Sequence, residues 1–266
     1  MKKLLSLLLA AMLLCASALA GEAVSLRDVT ADGSYLAMLT KKAQFLGDGL
    51  KDHYRVQQGC ATDGTYGYFL LESKVTRQCA LFKLNLADWS IVDVRYDLPV
   101  DHGNDMTYNA NTNQLVVVHN NPNYNTISFI DPERLEVVSS RELPVPMFGL
   151  TYCAERGRYV AGISGTKDFV IYDDEFNELA RHSGVDTGYI NQGSDCDAQY
   201  IYFPQWHDTM YASYIVVYDW DGNHINTIKV KTMSEIEDLF HVGDSLYIAF
   251  VAAKSVVYEA AITAVE

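Results

Sequence analysis

Gln58-Gly59-Cys60-Ala61-Thr62-Asp63-Gly64-Thr65-Tyr66-Gly67-Tyr68-Phe69 returns further along the chain as Gln192-Gly193-Ser194-Asp195-Cys196-Asp197-Ala198-Gln199-Tyr200-Ile201-Tyr202-Phe203, 134 residues on. That interval is too long for one structural repeat, but a third of it is about 45 residues, the length of one four-stranded unit of a β-propeller. A second repeat falls elsewhere in the unit. Leu84-Asn85-Leu86, Ile130-Asp131-Pro132, Tyr172-Asp173-Asp174, Tyr218-Asp219-Trp220 and Tyr258-Glu259-Ala260 each put Asn, Asp or Glu after an apolar strand, at intervals of 46, 42, 46 and 40 residues. Such side chains cap hairpin turns by bonding nearby backbone N–H groups, so each string reads as the bend between the third and fourth strands of a blade.

Five bends predict five blades. Their inner strands begin at Gln58-Gly59, His102-Gly103, Phe148-Gly149, Gln192-Gly193 and Glu237-Asp238. Four of the five carry Gly, which lets backbones crowd together at a central channel. The last blade runs out of chain after three strands, near Ala264. A strand drawn from Ala23 to Phe45 is expected to supply its fourth, leaving no raw sheet edge. The same segment could also be read as a helix from Tyr35 to Phe45, through Leu36, Met38, Leu39 and Phe45. The remaining hydrophobic segments are short, rich in Val, Ile, Tyr and Phe, and bounded by Asp, Asn, Gly or Pro. The expectation is all-β: a five-bladed propeller of four-stranded blades forming one domain from 21 to 266.

Residues 1–20 read as a signal peptide, with Lys2 and Lys3 before an apolar run from Leu4 to Leu14 and a small-residue exit at Ala18-Leu19-Ala20. This predicts a secreted, periplasmic or cell-surface protein. Leu14 is not the small residue that a lipid-anchor site wants before Cys15. No stretch approaches the twenty apolar residues of a membrane span. The whole chain has a formal charge of −14 from 20 basic and 34 acidic residues. Without the two leader lysines it would be −16, with the bases scattered, which argues against nucleic acid. Cys60, Cys79, Cys153 and Cys196 could form two disulfides in an exported chain, although three of them fall on predicted inner strands, where free buried thiols are common.

Across its mature length the chain resembles an exported bacterial five-bladed β-propeller. Gln58 to Phe69, His102-Gly103-Asn104-Asp105-Met106-Thr107-Tyr108-Asn109 and Gln192 to Phe203 are similar to strings that open the blades of secreted and phage-borne propellers. Gln58-Gly59, Glu72-Ser73, Leu81-Phe82-Lys83-Leu84-Asn85-Leu86 and Phe148-Gly149-Leu150-Thr151 also resemble motifs of the propeller-type glutaminyl cyclotransferases. That resemblance implies Glu72 as the acid-base residue moving a proton from the substrate amine towards departing ammonia. The chain departs from the pattern at His102-Gly103-Asn104, at Phe148 and at Asn191-Gln192-Gly193-Ser194-Asp195.

In such a fold, the loops that start inner strands and the loops that leave second strands share one face. The candidate ligand-binding residues there are Gln58, His102, Asn104, Asp105, His119, Asn120, Gln192, Trp206 and His207, with Trp206 and Tyr54 as stacking surfaces for a sugar ring. Asn191, Glu237, Ser73, Ser164, Gln205 and Lys254 fall on the same face. The mixture suits a small molecule, a glycan or a peptide. His102, His119 and His207 come from different blades without metal-ligand spacing, so no metal or other cofactor is expected. Asp219-Trp220-Asp221-Gly222-Asn223 lacks the bidentate Glu of a calcium loop and reads as a turn. Gly162-Ile163-Ser164-Gly165-Thr166 lacks the second Gly of a nucleophile elbow, and no phosphate-binding glycine loop is present. A monomer is expected, and an acidic scaffold that recruits another protein is a further alternative.

Overall fold

A computed structural model describes residues 23–44, 54–251 and 256–265. The leader, Phe45 and Lys254 lie outside the described residues. Strands β1 (Ala23–Val24) and β2 (Tyr35–Gln44) flank a short 3-10 turn at Leu26–Asp28. Three antiparallel four-stranded sheets follow in chain order. The first holds β3 (Tyr54–Thr62), β4 (Tyr66–Ser73), β5 (Cys79–Asn85) and β6 (Ile91–Leu98), and the second holds β7 (Asp105–Asn109), β8 (Gln114–Val118), β9 (Thr126–Asp131) and β10 (Glu136–Glu142). The third holds β11 (Met147–Cys153), β12 (Arg158–Ile163), β13 (Phe169–Tyr172) and β14 (Glu178–His182).

The rest of the chain forms one larger, mixed sheet. Its strands are β15 (Ile190–Asn191), β16 (Asp195–Cys196), β17 (Tyr200–His207), β18 (Ala212–Asp219), β19 (His224–Val230), β20 (Ile236–Val242), β21 (Ser245–Phe250) and β22 (Val256–Ala264). As the sequence required, β2 pairs antiparallel with β22, from Tyr35 opposite Ala264 to Gln44 opposite Val256. Tyr35 to Gln44 is therefore strand and not helix. The sequence reading kept the fourth and fifth sheets separate, and here the structure differs. Lys229 and Val230 of β19 pair in parallel with Leu36 and Ala37 of β2, which joins both groups into ten strands.

Composition explains the grading from inner to outer strand. β4 and β12 are buried at almost every position, whereas β10 and β14 are largely exposed. A strand covered on both faces reads as a continuous apolar run, and one wetted at the rim carries Ser, Arg and Glu. Four apolar clusters join two neighbouring sheets, Leu70 with Val117, Val118 with Ala161, Val160 with Phe203, and Phe240 with Phe69, and a fifth gathers Val217 and Ile248 within the large sheet. Along the inner edge, β3 lies against β7 and β20, β7 against β11, β11 against β16, and β16 against β20.

The Asx bends are built as their chemistry predicts. Asn85 accepts from Ala87 N, Asp131 from Glu133 N and Arg134 N, Asp173 from Glu175 N and Asn177 N, and Asp219 from Asp221 N and Asn223 N. The fifth string is not a bend. β22 runs straight through Glu259, whose carboxylate pairs with Lys42 at 2.6 Å. Asp219→Ala should cost about 1 kcal/mol, the value of a turn-capping hydrogen bond; a urea midpoint unchanged from the parent would show that the cap is not needed.

The opening repeat has one hydrogen-bond pattern in both copies. Asp63 accepts from Thr65 N, Tyr66 N and the Tyr68 hydroxyl, and Asp197 accepts from Gln199 N, Tyr200 N and the Tyr202 hydroxyl. The likeness of Gln58–Phe69 to Gln192–Phe203 is thus a structural device tying a turn to the second strand.

Candidate functional site

The inner strands crowd along Gly59, Gly149 and Gly193. A Cβ on Gly59 would stand 2.5 Å from the Asp105 carbonyl carbon, and one on Gly193 would collide with the Asp238 carboxylate. Side chains just before these glycines open onto a cavity of about 1010 Å³, while Cys60, Ser194 and Cys196, just after them, line a smaller one of about 220 Å³.

Between the two lies a pair of buried carboxyls. Asp105 Oδ1 accepts from Met106 N at 2.7 Å, and Oδ2 from Leu150 N at 2.7 Å and the Ser194 hydroxyl at 2.8 Å. Asp238 accepts from Cys60 N at 2.6 Å and Leu239 N at 2.8 Å, and the two acids are hydrogen-bonded to each other. Each therefore links its own inner strand to the next. Burial pushes Asp105 up to about 7; burial and then the Asp105 carboxylate raise Asp238 well above the usual carboxylate range.

The sign of the linkage is fixed by that direction. Between the ordinary Asp value near 4 and about 7 the folded chain holds more protons here than the unfolded one, so this pair's contribution to stability falls as pH rises through that window. The slope should approach about 1.4 kcal/mol per pH unit for one proton. Urea melts from pH 4 to pH 8 should show the decline, and Asp105→Asn combined with Asp238→Asn should flatten it; an unchanged slope in that double variant would place the titration elsewhere.

The larger cavity collects five of the nine sequence candidates for ligand binding: Gln58, His102, Asn104, Asn120 and Gln192. Asn104 donates to the Phe148 carbonyl at 2.5 Å and accepts from Asn120 Nδ2 at 2.6 Å, and Gln192 Nε2 donates to Glu235 Oε1 at 3.0 Å. Asn191, Glu237 and Ser164, placed on this face by sequence, also line it. The other four candidates do not. Asp105 lies beneath, fully buried. His119 is buried, with Nε2 2.7 Å from the Ser128 hydroxyl and Nδ1 accepting from Asp101 N. Burial lowers its pKa. Trp206 sits in an apolar cluster against Tyr211 and offers no stacking face, and His207 is tied to Thr209 and Met210. Tyr54 is wholly buried, its hydroxyl on the Asp97 carboxylate at 2.5 Å.

Glu72 reaches the cavity only through a neighbour. Its Oε1 is 3.0 Å from His102 Nδ1 and 2.7 Å from Arg77 Nη1, close in distance but poorly aligned for hydrogen bonds, and Glu72 itself is buried.

Sequence reasoning passed over Tyr189, Lys167, Asp186 and Glu235, which complete the wall. Tyr189 stacks on Tyr214 with centroids 4.7 Å apart and meets His207 edge-on, and its carbonyl accepts from the Lys167 ammonium. These residues sit in connections, where no periodicity marks a face. The available signal was a tyrosine between Gly188 and the Ile190–Asn191 strand. On the opposite side, His241 Nδ1 lies 2.6 Å from Asp195 Oδ2, which raises the imidazole to about 9. Cys60, Cys79, Cys153 and Cys196 are free and buried.

No family model matches the chain, and no curated protein does. Among solved structures, 766 chains match. The structure of U3-55K aligns at 8% identity with a TM-score of 0.46, covering 84% of this chain and 62% of that one. The Kuenenia stuttgartiensis hydrazine synthase aligns at 8% identity with a TM-score of 0.45, covering 78% and 59% respectively. This chain thus spans less than two thirds of the length of either.

Proposed function

We propose that the chain is an exported five-bladed β-propeller, one domain in which β2 completes the fifth blade, and that it binds a small molecule, glycan or peptide in the 1010 Å³ mouth. The apolar clusters between successive sheets and the neighbouring inner strands support the ring. The observation that carries the function is the make-up of the mouth. Amides of Gln58, Asn104, Asn120, Asn191 and Gln192 converge there beside Phe148 and the Tyr189 ring. Neutral donors and acceptors next to an aromatic face match the hydroxyls and C–H faces of a sugar or the backbone of a short peptide.

Thermal melting across a panel of glycans, short peptides and small metabolites tests this reading. At least one class should raise the melting temperature of the parent, and Gln192→Ala combined with Tyr189→Ala should remove the shift. A panel with no stabilising member, or shifts kept in the double variant, would count against it. The cyclotransferase alternative has one supporting contact, the approach of Glu72 to the cavity-lining His102. Ammonia release from a glutaminyl peptide, abolished by Glu72→Gln, is its test.

A further inference from the structure

Glu237 is 6% exposed, lines the mouth, and its carboxylate has no hydrogen-bond or ion-pair partner among the described residues. Every other strongly buried acid is engaged: Asp105 and Asp238 with each other and with backbone N–H groups, Asp197 with its turn and Arg27, and Glu72 against Arg77 and His102. A buried carboxylate without a partner is expensive to keep. One that borders a cavity is positioned for a cation supplied from outside the chain.

The surroundings narrow that cation. Glu235 stands beside Glu237 with Oε1 held by Gln192, and Asp168 and Asp186 lie on the same wall against Lys74 and Lys167, so acids outnumber ammonium groups. Lys167 is occupied by the Tyr189 carbonyl. A zinc or calcium site built from side chains needs three or more of them in convergence, and among the described residues no such group of His, Cys, Asp or Glu is found. A primary ammonium needs one carboxylate and two neutral acceptors. The carboxylate is Glu237, and the side-chain amides of Gln58 and Gln192, which line the same cavity, carry neutral acceptors.

Resting on the reading of the mouth as a ligand site, we propose that it selects ligands bearing a primary ammonium group on a polyhydroxylated body, as in an amino sugar, with Glu237 receiving the ammonium. Burial, and then the neighbouring charges of Glu235 and Glu72, hold the empty Glu237 carboxyl well above the ordinary range. The arriving cation therefore stabilises an ionised form that the empty site disfavours.

Calorimetric titration of the full chain with glucosamine, glucose and N-acetylglucosamine tests the proposal. Glucosamine should bind at least tenfold tighter than the two neutral sugars, the scale of one buried charge-assisted hydrogen bond. Glu237→Gln should erase that preference while melting no lower than the parent. N-acetylglucosamine makes the same comparison in the parent protein, so the test survives a variant that folds poorly. Equal binding of all three sugars, or a preference kept in Glu237→Gln, would overturn ammonium selection and leave the mouth as a site for neutral ligands. Absence of saturable binding by any of the three would also overturn it, and the broader melting panel then decides separately whether the mouth binds anything.

Discussion

Asp105→Ala is expected to lower the unfolding free energy by about 3–5 kcal/mol, the summed cost of the polar groups it leaves without a partner. The truncation removes the acceptor of Leu150 N–H and of the Ser194 hydroxyl and the hydrogen-bond partner of the buried Asp238 carboxyl. Each orphaned group alone carries a penalty of about 1–3 kcal/mol. For a chain of this size that corresponds to a fall in Tm of roughly 10 °C. Asp105→Asn keeps one acceptor and gains a donor towards Asp238, so it should lose less than half as much. Denaturant unfolding of both variants is the measurement. An alanine variant within 1 kcal/mol of the parent would show that the inner strands do not depend on this carboxyl.

Gly59→Ala should be comparably damaging for a different reason. The new methyl would meet the carbonyl carbon, Cα and following nitrogen of Asp105 at 2.5–2.6 Å. These are backbone atoms of β7 and cannot rotate away. Relief requires β3 and β7 to part, and overpacking that moves backbone costs up to about 3 kcal/mol. Gly64→Ala is the matched control. Gly64 has a φ of +89° and open space around its Cβ position, so alanine there meets only the left-handed backbone cost of about 1 kcal/mol. Urea midpoints that fall by similar amounts would show that close approach of the strands is not what glycine serves at 59.

The regular parts of the architecture were legible because their causes are local. An Asp or Asn that caps a bend acts over two to four residues, so Asn85, Asp131, Asp173 and Asp219 announced four bends from sequence spacing alone. Glu259 follows the same rhythm but spends its carboxylate on Lys42 of β2, a partner more than two hundred residues away. The parallel contact of β19 with β2 is equally non-local, and no residue pattern marks it.

The candidate site was legible to a different degree. Of the residues that start inner strands, Gln58, His102, Asn104 and Gln192 line the larger cavity while Asp105 lies buried beneath it. Second strands were harder. β17 is buried at six consecutive positions, so alternation could not tell whether Trp206 faced the mouth or the core, and it faces the core. Tyr189 lies on a connection whose path is set by tertiary packing against Tyr214. Glu237 was visible as a polar residue at the start of a strand. Its lack of a partner is a property of the assembled fold and could not be read from the string.

A crystal structure of the chain with the most stabilising member of the melting panel tests the ligand site most directly. Ordered ligand density against Gln58, Gln192 and Tyr189 is the predicted result. Ligand seated instead in the 220 Å³ cavity beside Cys153 and His241, with the larger mouth holding only water, would contradict it.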